Sequence, residues 1–339
     1  MNTKVVFVSM LLISNCFFAQ VHEQRIVESN QLNAPVFISV EPLAEKSENY
    51  QTLSEKEYVI SFCQQYAPDY VSLIQSSYSS PNSWSRTVNG VGQTINFNPQ
   101  NREEIIKEFE TIIHETTHHK NSFSGFLIEP SVYLVLSEQE RQISNNFFNS
   151  DFIARVVSSE AQDKIFRYKT YVSKQSGVGA NVEGIVGLMD EYSAYQNGCT
   201  AALIAYDNAL KNKDTTLAIT FLKSAMATHF AYYEFNIFIG AYVQYARLYN
   251  PVVHQQILKL NTLKRAYSLN TQRFLNSLQI IQSASTRLKG NYRSVKYTAD
   301  YYNKTYVDFA KEYMKSFDSD LQALKSLVAF GLQNILQEN

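Results

Sequence analysis

Glycine and proline are scarce in this 339-residue chain, with 11 and 7 residues, roughly half or less of their usual share. An all-β sandwich needs a supply of tight turns that these numbers do not provide, so helix is the expected majority. Only 3 cysteines are present, too few for a disulfide-stapled scaffold. Neither sign of charge dominates, because 30 Lys plus Arg stand against 31 Asp plus Glu. That balance argues against a role resting on nucleic acid or anionic lipid. Beyond the first segment no stretch reaches about 18 apolar residues without a charge, so no transmembrane span is expected in the mature chain. What the chain does have is apolar matter. It is 45% hydrophobic and 18% charged, with 23 Tyr and 21 Phe, enough to bury a large aromatic core.

Residues 1–19 read as a secretory signal peptide: Lys4 precedes an apolar run from Val5 to Leu12, and Phe17-Phe18-Ala19 offers a cleavage point. A secreted or periplasmic location follows. The rival reading is a lipoprotein anchored through Cys16, but Asn15 occupies the position where a lipobox wants a small residue. Cys63 and Cys199 then remain, either bridged or as two buried thiols. Residues 20–53 form an extended N-terminal segment with one strand-like run at Pro35–Val40. The following region, 54–199, holds two helices around Glu57–Tyr78 and a hairpin over Arg86–Phe97, turning at Asn89-Gly90. A further helix begins near Asn101 and runs to about Lys120. Residues 200–339 are almost wholly helical, with breaks at Asn212–Asp214, Asn250-Pro251 and Gly290-Asn291. Phe221–Tyr249 reads as one buried helix, with Glu234 paired at its rim. The fold class expected is α+β, predominantly α: a small sheet and an active-site helix followed by a helical bundle.

The helix after Asn101 carries His114-Glu115-Thr116-Thr117-His118. Two imidazoles one helical turn apart can grip a single zinc ion. With 6 His and 31 acids in the chain, random placement gives roughly 0.01 such matches. At about 100° per residue, Ile105, Phe109, Ile112 and Ile113 share one arc, and His114 and His118 leave on the opposite side. That side is where a cleft-facing catalytic metal needs its ligands. His119 falls at the edge of the apolar stripe and suits packing or support better than ligation.

A catalytic zinc takes a third protein ligand. Glu191, within Asp190-Glu191-Tyr192-Ser193-Ala194, is the leading choice, because the small residues beside it let its helix approach the first. Glu183, Asp190, His229 and His254 are its rivals. The pair HETTH and DEYSA resembles the gluzincin branch of zinc metallopeptidases, in which a glutamate on a later helix completes a His-His-Glu site. The 73 residues from His118 to Glu191 resemble the spacing in periplasmic and membrane-associated gluzincins of the HtpX type.

The resemblance implies a zincin-like fold, one Zn2+ per chain, and a peptide or protein substrate. Glu115 is then the general base toward a water that zinc activates. The hairpin at 86–97 resembles the edge strand that zincins pair with an extended peptide. Many gluzincins place an aspartate four residues after the glutamate, where this chain has Tyr195. Support for a histidine then falls to Asp190, the Tyr195 hydroxyl or a backbone carbonyl, and Tyr192, Tyr195 and His229 are the candidates for holding an oxyanion.

Overall fold

The computed structural model describes residues 55–79, 102–122, 124–173, 179–287 and 303–325. The expected signal peptide, the 20–53 segment, the hairpin at Arg86–Phe97 and the break at Gly290-Asn291 lie outside these. Helix α1 (Glu55–Tyr66) stops before Pro68, which opens a 3-10 turn (Pro68–Tyr70) leading into α2 (Val71–Ser79). Helix α3 (Arg102–Asn121) carries HETTH and is followed by strands β1 (Gly125–Glu129) and β2 (Val132–Val135). Short helices α4 (Glu138–Ser144), α5 (Ser159–Lys164), α6 (Tyr168–Tyr171) and α7 (Gly179–Val182) bridge to α8 (Gly184–Lys211). Then come α9 (Thr215–Thr228), α10 (Phe230–Tyr249), α11 (Pro251–Lys259), α12 (Asn261–Arg287), a π-helical turn (Asn303–Val307), α13 (Asp308–Lys315) and α14 (Asp318–Leu324). The described residues are mostly helical, with one small antiparallel sheet among them.

Polar side chains set the breaks. Asp214 accepts from the Leu217 N–H at 3.0 Å to start α9, after Lys213 turns the chain at φ 61°. Asn250 accepts from the Val253 N–H at 3.3 Å, and Pro251 takes the first position of α11. The long run Phe221–Tyr249 is two helices rather than one. The His229 ring bonds the Met226 carbonyl at the junction, so a side chain competes there with the backbone ladder.

Helix α8 is the central strut, buried along most of its 28 residues and packed on α3, α9, α10, α12 and β1. It runs straight through residue 199, so the division expected at 199/200 falls inside one helix. Two glycines allow its close contacts. Gly184 opens it at φ +58°, where a Cβ would stand 2.5 Å from the Phe148 carbonyl oxygen. At Gly198 a Cβ would stand 2.5 Å from Glu110 Oε1 and 3.0 Å from the Glu110 carbonyl oxygen, so the absent side chain sets the approach of α3 to α8.

The β1–β2 hairpin turns at Pro130-Ser131, with Phe126 opposite Leu134. At Leu127 the edge of β1 away from β2 is capped by side chains. The Leu127 N–H donates to Asn121 Oδ1 at 2.6 Å, and its carbonyl accepts from Asn197 Nδ2 at 3.0 Å and from the Ser193 hydroxyl. The sheet is thereby fastened to the C-terminal end of α3 and to α8. Among the described residues no helix is long and apolar enough to cross a membrane.

Candidate metal centre

The core stripe of α3 behaves as its periodicity predicts: Ile105, Phe109, Ile112 and Ile113 are all buried. The opposite side is not open to solvent, however. His114 is only 7% exposed there, while Thr116 within the stripe and Thr117 on its flank are also buried, their hydroxyls folded back onto the Ile112 and Ile113 carbonyls. The helix is enclosed on both sides, and its histidines face α8.

There three ligand atoms converge. His114 Nε2 and His118 Nε2 are 2.9 Å apart, and Glu191 Oε2 lies 3.4 Å from the first and 3.2 Å from the second. Tetrahedral zinc with bonds of about 2.0–2.2 Å separates neighbouring ligand atoms by roughly 3.3–3.6 Å, close to this triangle. Glu191 Oε2 is buried without a hydrogen-bond partner, an arrangement that is costly for a carboxylate unless a cation satisfies it. Among the described residues this is the cluster competent to hold a metal. The donor set of two imidazoles and one carboxylate suits zinc.

The electrostatics follow from the packing. Burial raises the Glu191 pKa, but His118 and His114 outweigh it and hold the carboxyl at about 2. For His118 burial lowers the value, and the carboxylates of Asp190 and Glu191 reverse this and set it well above the ordinary imidazole range. His118 Nδ1 donates to Asp190 Oδ2 at 2.7 Å, so the Nε2 lone pair faces the cluster once the imidazolium proton there has left. Asp190 Oδ1 in turn accepts from Asn121 Nδ2 at 2.6 Å. Asp190 therefore takes the supporting place that the sequence left open among three groups.

Tyr195 is the expected neighbour that touches the cluster. Its ring meets that of His114 edge-on at 4.4 Å, and its hydroxyl pairs with that of Tyr171 at 2.8 Å. Tyr192 does not turn toward the site. Its hydroxyl sits with Thr271 at 3.2 Å and accepts from Asn236 at 3.0 Å, between α12 and α10. His229 is spent at the α9–α10 junction against Phe230. Both are corrections to the oxyanion candidates, and they arise because Tyr192 and His229 lie in buried stretches of the helix packing and are taken up by neighbours away from the cluster. Of the rival ligands, Glu183 is exposed at the start of α8 and His254 sits half-buried on α11; neither joins the cluster. Glu115 is half-buried on α3 beside the pair, and half-buried His119 stands outside the cluster.

Three supporting residues escaped the sequence reading. Asn121 lies three residues after His118, on the same helical face, and that spacing was a usable signal. Arg167 and Tyr171 are remote in sequence and carry no motif. Glu234 pairs with Arg167 at 2.5 Å and is fully buried rather than at a rim. No protein-family model, curated protein or solved structure matches this chain.

Proposed function

We propose that this chain is a zinc-dependent hydrolase of peptide bonds, with His114, His118 and Glu191 holding the metal and Glu115 as general base. The observation that carries the reading is the convergence of three ligand atoms within 2.9–3.4 Å from helices 73 residues apart. Bound zinc would supply a Lewis acid that acidifies water and polarises a carbonyl. Glu115 takes the proton from the attacking water and delivers it to the departing amine nitrogen. Asp190 fixes the His118 tautomer, and Asn121 fixes Asp190. Peptide is the substrate class because of the gluzincin-like pattern and the partly exposed β2 edge beside the end of α3. Secretion or a periplasmic location belongs to the same proposal.

A second reading is a non-catalytic envelope protein with a structural zinc. The burial of His114 favours it, since structural sites are closed. Glu115→Gln separates the two. The proposal expects full zinc content and loss of at least about 100-fold in hydrolysis of a broad peptide library. Zinc retained with no cleavage by the wild type supports the structural reading, and unchanged turnover in the variant removes Glu115 from its role.

A further inference from the structure

A buried charge pair stands behind the metal centre. Arg167 is 5% exposed and Glu234 0%. Taking both from water costs free energy that their attraction repays only with good geometry, so such a pair is weak evidence for a purely stabilising role. Both oxygens of the carboxylate find donors here. One Glu234 oxygen accepts from Arg167 Nη1 at 2.5 Å; the other accepts from the Phe166 N–H at 3.1 Å and from the Tyr306 hydroxyl. Tyr306 stacks on Phe166 at 4.3 Å, so the carboxylate is anchored by α10, the segment before α6 and the 303–307 turn. The fixed guanidinium lies 4.5 Å from the centre of the Tyr195 ring. Tyr195 in turn presses edge-on against His114. The line from Glu234 through Arg167 and Tyr195 ends on a ligand that no described hydrogen bond supports as Asp190 supports His118.

Resting on the zinc reading, we propose that Arg167 is a positioning residue for the metal centre, locking the His114 ring through a cation–π contact with Tyr195. The planar guanidinium is suited to this because it stacks on an aromatic face while still pairing with a carboxylate, which a lysine ammonium does less well. The two histidines are thus oriented by different devices: a carboxylate for His118 and a packed ring for His114.

The test is zinc affinity by chelator competition on the full chain, with the visible spectrum of the Co2+-substituted protein as a report on ligand geometry. Tyr195→Phe keeps the ring but removes the hydroxyl's hydrogen bonds to Tyr171 and Arg167, and is expected to lower affinity by a smaller factor than Tyr195→Leu. Tyr195→Leu and Arg167→Lys are expected to lower affinity by about 10- to 100-fold, the usual cost of removing support from a ligating histidine, and to alter the Co2+ spectrum. Circular dichroism checks folding, and Tyr306→Phe, which loosens Glu234 without leaving Arg167 unpaired, is expected to weaken binding in the same direction by a smaller factor. Folded Tyr195→Leu and Arg167→Lys with wild-type affinity and spectrum overturn the inference while leaving the zinc reading intact. A wild type that binds neither ion overturns both.

Discussion

Asp190 accepts two hydrogen bonds with two oxygens, from His118 Nδ1 at 2.7 Å and from Asn121 Nδ2 at 2.6 Å. Asp190→Asn keeps the shape but leaves one oxygen for two donors, so an amide N–H2 must face either the imidazole N–H or the Asn121 N–H2. A buried donor without an acceptor costs about 1–3 kcal/mol. Loss of a carboxylate behind a ligating histidine lowers metal affinity by about 10- to 100-fold. The variant is therefore expected to fold, melt several degrees lower and bind zinc at least about tenfold more weakly. The double variant Asn121→Asp with Asp190→Asn restores the pairing. The new carboxylate at 121 accepts from the Leu127 N–H and from the amide at 190, whose oxygen again serves His118. Partial recovery of affinity in the double variant, measured by chelator competition beside thermal melting, gives a coupling energy for the pair. A folded Asp190→Asn protein with wild-type zinc affinity refutes the argument.

The raised His118 pKa and the depressed Glu191 pKa set a pH dependence. Stabilisation from His118 is fully present below its unfolded value of about 6.5 and is lost as pH rises through its raised value. Stabilisation from Glu191 is present above about 4.3 and is lost as pH falls toward its depressed value. Chelator-treated protein is expected to melt higher at pH 6 than at pH 9. The gain in melting temperature on adding zinc should grow with pH, because the metal displaces a proton; a gain independent of pH contradicts the assignment. Cys63 and Cys199 are separate, fully buried thiols, and burial pushes Cys63 up to about 12 and Cys199 further. Neither is expected to react with iodoacetamide in the native protein, and both should react in denaturant; rapid native labelling would contradict their burial.

Much of this site was legible in the sequence because its parts are local. Two histidines spaced by one helical turn need only a helix, and the stripe from Ile105 to Ile113 supplied it. Glu191 was legible because small neighbours mark a close helix approach, though Gly198 against Glu110, two turns further on, proved to be the tightest point. The β1–β2 hairpin was missed, although its apolar runs Phe126–Ile128 and Val132–Leu136 flank a Pro130-Ser131 turn. They follow the helix that was expected to end near Lys120, and no element was assigned to them. The Arg167–Glu234 pair was illegible for a different reason: 67 residues separate its members, and only packing brings a charge from the α6 approach against one in an apolar helix. The enclosure of α3 on both sides depends likewise on where α8 lies, which a single helix's periodicity does not contain.

Zinc content of full-length protein purified without a histidine tag, measured for wild type and for Glu191→Ala in parallel, addresses the central claim most directly. About one zinc per wild-type chain, and little in the variant under the same dialysis, is the result expected. Wild-type protein without zinc, or a variant that retains it in full, would contradict the claim that Glu191 completes the metal site.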